Sequence, residues 1–198
     1  MKPYDIVLSG LGGQGVMTIA QVLAAAASRE GIPVKYFEGT GMTQRGGGVF
    51  SFVRLGETYS PRIPVGKADA IISLEISEVT SVLHYLKPQG HIWANSERIN
   101  GYYTKLRPEL YPSQEELETM VNSKTMHLHI IPANRLAEAS GSAQAVNMVM
   151  MGAFLGGNLV LQNNSVASAI EEINPKFASS NLEAFWKGYW FVKKEKAA

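Results

Sequence analysis

No cysteine occurs in the 198 residues. That excludes disulfides, cysteine-ligated zinc or iron–sulfur clusters, and a cysteine nucleophile. Charge is sparse: Asp, Glu, Lys and Arg make up 18% of the chain, and the net charge is +1. A balance so close to neutral gives no basic field for nucleic acid. No apolar run reaches the length needed to span a bilayer. The start, Met1-Lys2-Pro3-Tyr4-Asp5, runs straight into a strand pattern and lacks the apolar stretch and cleavage site of a signal peptide. The expected location is therefore the cytoplasm. The G-x-x-x-x-G-K-[ST] pattern of an NTPase is also missing.

What is present begins with glycine. Gly10, Gly12 and Gly15 in Gly10-Leu11-Gly12-Gly13-Gln14-Gly15 satisfy G-x-G-x-x-G. The apolar run Ile6-Val7-Leu8 precedes them, and a helical pattern of Val16, Ile19, Ala20, Leu23 and Ala27 follows. Strand, glycine turn, helix is the order that aims free N–H groups and a positive dipole end at an anion. Gln14 adds an uncharged amide donor. Gly31-Ile32-Pro33 stops the helix, and Val34-Lys35-Tyr36-Phe37 reads as a second strand. These residues form a β-α-β unit. Glu38 ends the second strand, about twenty residues after the turn, where a dinucleotide fold keeps its ribose-binding acid. An ordinary strand-end carboxylate fits the pattern equally well.

Thr40 to Gly48 holds four glycines in nine residues, with Gln44 and Arg45 among them. Such a stretch is a loop. It lies at a strand's carboxyl end, the side on which open α/β sheets bind ligands. Arg45 offers a planar fork of donors to phosphate or carboxylate. Further on, Val49 to Leu55 reads as a strand that turns at Gly56-Glu57 and returns through Thr58-Tyr59-Ser60, a hairpin. Ala68 to Leu74 is a buried strand. Glu75 and Glu78 open the next helix, where acids suit the dipole. Ser96 to Pro112, with Tyr102, Tyr103 and Tyr111, reads as an insertion or interface loop. Ser113 with Glu116, and Ser180 with Glu183, read as capping boxes. His127 and His129 share one strand face, but two imidazoles with no third ligand fit a polar face better than a metal site. Ala145 to Leu161 is apolar, with methionines that fill core and with Gly152, Gly156 and Gly157 that admit a close backbone. Leu182, Phe185, Trp186, Tyr189, Trp190 and Phe191 form an aromatic stripe too broad for one helix face, suited to docking on a partner. The expected fold is one α/β domain over residues 1–198. Its sheet is Rossmann-like, mixed and mostly parallel, with helices on both faces and a helical C-terminal section.

The glycine turn, Gly41-Met42-Thr43-Gln44-Arg45-Gly46-Gly47, Ser60-Pro61-Arg62-Ile63-Pro64, Asn147 to Ala153 and Asn181 to Phe185 together resemble the gamma-type subunit of the 2-oxoacid:ferredoxin oxidoreductases. Within that family they look most similar to the small subunit of the indolepyruvate enzymes. Thr40 departs from the histidine often found there. The resemblance implies oxidative decarboxylation of a 2-oxoacid, an aryl-pyruvate such as indolepyruvate, to an acyl-CoA. Carbon dioxide is released and the electrons pass to ferredoxin. It implies a complex using thiamine diphosphate with Mg2+ and [4Fe-4S] clusters, with coenzyme A as co-substrate. This chain has no cysteine for a cluster and lacks the Gly-Asp-Gly and downstream Asn of a thiamine site. A larger partner subunit is therefore expected to carry both cofactors, and the chain is expected to be inactive alone. Gly12, Gly13, Gln14, Gly15, Thr40, Gln44, Arg45, Gly46 and Gly47 are the candidates for the coenzyme A side, with Arg45 the one catalytic candidate. The rival readings are a free-standing NAD- or FAD-binding Rossmann protein and a non-catalytic scaffold subunit.

Overall fold

The computed structural model describes residues 3–39, 47–101, 105–158 and 160–195. Six strands form one sheet in the order β2-β3-β1-β4-β5-β6. They are β1 (Tyr4–Leu11), β2 (Val34–Gly39), β3 (Gly48–Leu55), β4 (Ala68–Ser73), β5 (Leu86–Asn95) and β6 (Leu128–Ile131). β1, β4, β5 and β6 pair in parallel, and β3 runs against both β1 and β2. The sheet is thus mixed and mostly parallel.

The central strands read as continuous apolar runs because both of their faces are covered. On one face, Ile6, Leu8, Ala70, Ile72 and Trp93 pack under α1 (Val16–Arg29), α5 (Val146–Gly157), α6 (Asn163–Ile173) and α7 (Ala178–Glu195). On the other, Val7, Ile71 and Ile92 pack under α2 (Glu78–Val82) and α3 (Gln114–Asn122). A further short helix, α4 (Ala133–Glu138), follows β6.

α5 is apolar all round and ten of its twelve residues are buried, as befits a helix with no solvent side. Phe154 meets Trp93 of the sheet edge-on, with ring centres 5.2 Å apart. The opposite side of α5 meets α7 backbone to backbone. A Cβ added at Gly152 would stand 1.9 Å from the Phe185 carbonyl oxygen, and one added at Gly188 would stand 2.0 Å from that of Val149. This is the close approach expected of the small residues in Ala145 to Leu161. Met148, Met150 and Met151 are buried core, also as expected.

Three expectations fail. The hairpin after β3 does not form: both edges of β3 are already taken by β1 and β2, so Thr58 to Ser60 finds no strand to pair with. Arg54 holds that segment instead. Its guanidinium donates to both Asp5 carboxylate oxygens, at 2.8 and 2.9 Å, and to the Ser60 and Arg62 carbonyls. Ser180 and Glu183 are not a capping box, because α7 begins earlier, at Ala178, and the Ser180 hydroxyl donates to the Phe177 carbonyl inside the helix. Glu75, read as opening the helix after β4, precedes it, because α2 begins at Glu78. The Ser113–Glu116 capping box is present with both of its bonds.

Candidate functional site

The β1–α1 turn sits at the carboxyl end of the parallel strands. Gly13 and Gly15 have φ of +93° and +85°, a region open to glycine at little cost. Gln14 folds back into the turn. Its Oε1 accepts the Leu11 N–H at 2.7 Å and its Nε2 donates to the Leu74 carbonyl at 3.3 Å. The Gly12 N–H donates to the Gly47 carbonyl at 3.0 Å. The turn is therefore rigid, and Gln14 spends its carbonyl and one amide donor on holding it.

Two hollows flank the turn. The first, about 440 Å³, lies between the turn and the β2–β3 ends and is bordered by Gly12, Gly13, Glu38, Gly39, Val49 and Phe50. The second, about 570 Å³, lies towards α5 and is bordered by Gly13, Gln14, Gly15, Ile99, Asn134 and Asn147. Two helices open onto the second hollow. α1 follows its N-cap residue Gly15 and α5 its N-cap residue Ala145; neither N-cap makes a side-chain bond, and neither helix has an acid in its first turn. The first N–H groups of a helix lack carbonyl partners one turn back, and both positive dipole ends meet there; in α5 the Met148 N–H is already taken, by the Ala145 carbonyl and Asn147 Oδ1. Asn147 joins them: its Nδ2 donates to the Gly15 carbonyl at 3.4 Å, and its Oδ1 accepts the Met148 N–H.

Behind the hollow, Asn95 donates to the Leu74 carbonyl and to Asn134 Oδ1, at 3.1 and 2.8 Å, and accepts the Ala133 N–H. Asn95 is fully buried. The sequence reading missed this residue. The available signal was a polar amide closing an apolar strand, Ile92-Trp93-Ala94-Asn95.

Glu75 and Glu78 lie beside the turn on the β4–α2 connection. Glu75 precedes the helix rather than opening it. Glu78 is held protonated to higher pH than an ordinary carboxyl, first by burial and then by the neighbouring Glu75 charge, with the Ser81 hydroxyl opposing. Its carboxylate fills the space at Gly48, where an added Cβ would meet Oε2 at 2.5 Å.

Thr40, Gln44, Arg45 and Gly46 lie outside the described residues, so only Gly12, Gly13, Gln14, Gly15 and Gly47 of the expected set are located. Tyr102 and Tyr103 also lie outside them. The histidines sit elsewhere: His127 and His129 do share a face, joined there by His91. The His91 and His129 rings are parallel within 4° and touch through Nδ1 and Nε2 at 3.3 Å. Among the described residues no group of three His, Asp or Glu is placed to hold a metal ion. With no cysteine in the sequence, the residues present do not fit a cysteine-ligated iron–sulfur cluster.

Glu38 borders the first hollow, but the sheet order argues against a dinucleotide site. In that fold the strand carrying the ribose acid lies next to β1; here the antiparallel β3 stands between them. The fold and turn define an α/β chain with an anion-suited glycine edge. It belongs to the pyruvate ferredoxin/flavodoxin oxidoreductase family, whose model matches residues 5–191. Over 189 residues it is 34% identical to the indolepyruvate oxidoreductase subunit IorB of Pyrococcus horikoshii, covering 93% of this chain and 94% of that one. Among solved structures, the gamma subunit of a keto/oxoacid ferredoxin oxidoreductase from Geobacter sulfurreducens has the same fold. The TM-score is 0.71 at 23% identity, over 98% of this chain and 99% of that one. The 2-oxoglutarate:ferredoxin oxidoreductase of Magnetococcus marinus, with 2-oxoglutarate, coenzyme A and succinyl-CoA bound, matches with a TM-score of 0.75 at 21% identity. It covers 98% of this chain but 32% of that one, so there the fold is one part of a longer chain. Among the described residues no helix is long and apolar enough to cross a membrane.

Proposed function

We propose that this chain is the small subunit of a cytoplasmic 2-oxoacid:ferredoxin oxidoreductase acting on an aryl-pyruvate, with indolepyruvate the first candidate, and that it forms the coenzyme A side of the site. The whole of residues 1–198 serves as one gamma-type domain. The observation that carries the reading is the meeting of two uncapped helix N-termini, those of α1 and α5, at the 570 Å³ hollow beside the glycine turn. Such an edge favours a phosphorylated ligand that needs no redox partner in this chain. The indolepyruvate preference rests on the 34% identity to a subunit of that name.

In this reading a larger partner subunit holds thiamine diphosphate, Mg2+ and the [4Fe-4S] clusters. Bound there, those groups would supply the decarboxylation and electron-transfer chemistry. The residues of this chain bind and orient. In the turn the Gly12 and Gln14 N–H groups are held by the Gly47 and Leu11 carbonyls, so the Gly13 and Gly15 N–H groups are the ones offered to the phosphates of coenzyme A. Gln14 serves mainly by locking the turn. Thr40, Gln44, Arg45 and Gly46 are the further candidates for the same ligand, with Arg45 the source of charge. The broad face of α7, where Trp190 is 53% exposed, docks on the partner.

Arg45→Ala in the assembled complex should raise KM for coenzyme A about tenfold, the loss of one charge-assisted contact. Unchanged kinetics with unchanged assembly would contradict the coenzyme A role and favour a scaffold subunit.

A further inference from the structure

Glu75 is an unusual residue for its position. It is fully buried at the end of β4, yet among the described residues no lysine or arginine forms an ion pair with it. Burying a carboxyl group without a cation is costly unless every oxygen is hydrogen-bonded. Glu75 meets that requirement entirely with neutral donors. Oε2 accepts the Ser77 N–H at 2.8 Å, the Ser77 hydroxyl, and the Glu78 N–H at 3.2 Å. Oε1 accepts the Ile99 N–H at 3.2 Å and the Tyr111 hydroxyl.

The two halves of the carboxyl group therefore serve different segments. Oε2 shapes the turn into α2. Oε1 reaches across to the irregular connection between β5 and α3 and ties it down at two points. One of those points, Ile99, is a wall of the hollow that the α1 and α5 N-termini face. Tyr111 is a donor at neutral pH, and burial, then the bond to Glu75, push its phenol up to about 12. The Arg98 guanidinium lies 4.6 Å from the centre of its ring and also donates to the Pro112 carbonyl. Without Glu75, the Ile99 wall would be a loop with no partner for its N–H on that side.

We infer that Glu75 is a positioning residue for the ligand hollow, fixing the Ile99 wall through the Ile99 N–H and the Tyr111 hydroxyl. The inference rests on the coenzyme A reading of that hollow. Glu75 touches no ligand in this account. It sets the width of the hollow, so its loss weakens the hold on coenzyme A and leaves the 2-oxoacid, bound by the partner, unaffected.

The test uses the assembled complex and two variants. Glu75→Gln keeps the shape but turns an amide N–H₂ towards donors. Tyr111→Phe removes one donor at a half-buried site and so tests the same link where Glu75→Gln fails to fold. KM for coenzyme A should rise about tenfold in Glu75→Gln and about threefold in Tyr111→Phe, the loss expected of one buried hydrogen bond or part of one. KM for the 2-oxoacid should stay at the wild-type value in both, a split that general loosening of the fold would not produce. The Ile99 amide should exchange its hydrogen faster in both variants. An unchanged KM for coenzyme A in folded, assembled variants overturns the inference. If Arg45→Ala raises that KM and these two variants do not, only the role of Glu75 falls; if none of the three raises it, the coenzyme A reading falls too.

Discussion

Where α5 crosses α7, glycine serves by removing side chains; in the β1–α1 turn it serves by permitting a backbone conformation. At Gly152 and Gly188 the neighbour is a carbonyl oxygen of the facing helix, with no flexible group to give way. At Gly13 an added Cβ would meet nothing within 4 Å, and the need for glycine lies wholly in φ. Gly15 stands between the two cases, with φ of +85° and Asn147 Nδ2 2.4 Å from an added Cβ. One residue type therefore builds a closed core in one region and an open, anion-suited edge in the other. Substitution effects on stability and on binding should separate along that line.

The largest effect is expected of Gly152→Ala. The methyl group must force two helix backbones apart, at a cost of about 3 kcal/mol or more. For a chain of this size that is a fall in Tm of about 10 °C by calorimetry. Next comes Gly15→Ala, which meets both left-handed strain, about 1–2 kcal/mol, and the Asn147 side chain. It should lower Tm less than Gly152→Ala yet weaken coenzyme A binding more, as read by KM in the complex. Gly13→Ala should show the strain alone, about 1–2 kcal/mol by denaturant unfolding. A Gly13→Ala variant as unstable as Gly152→Ala would break the comparison.

The smallest effect is a pH dependence beside the turn. Burial and the Glu75 charge raise the Glu78 carboxyl in the folded protein above its ordinary range. Its contribution to stability is therefore full in acid and lost as pH rises through the raised value. Glu78→Gln should raise Tm at neutral pH, with the gain shrinking as pH falls through the carboxylate range. Thermal melts from acid to neutral pH would measure this.

Much of this division was legible in the sequence. The turn announced itself because Gly10 to Gly15 falls between an apolar run and a helical period. The α5–α7 contact was foreshadowed by Gly152 and Gly156 in an otherwise apolar helix. Other features depended on partners far away in the chain. Nothing local in Thr58-Tyr59-Ser60 tells that β3 already has a neighbour on each side; that depends on β1 and β2 each pairing with β3. Gln14 looked like a ligand donor, but Leu74, sixty residues on, takes one of its amide donors. Glu75 looked like a helix-start acid, and only the return of Ile99 and Tyr111 shows what it holds. Asn95 was passed over because a strand-end amide has no meaning until α4 and the Leu74 carbonyl are placed around it.

The most direct test of the account is to purify this chain from its native cell under anaerobic conditions and record the mass and visible absorbance of what accompanies it. The account predicts a brown complex with a larger, cysteine-rich subunit that oxidises an aryl-pyruvate only when coenzyme A is supplied. A colourless chain that purifies alone and binds NAD would contradict it.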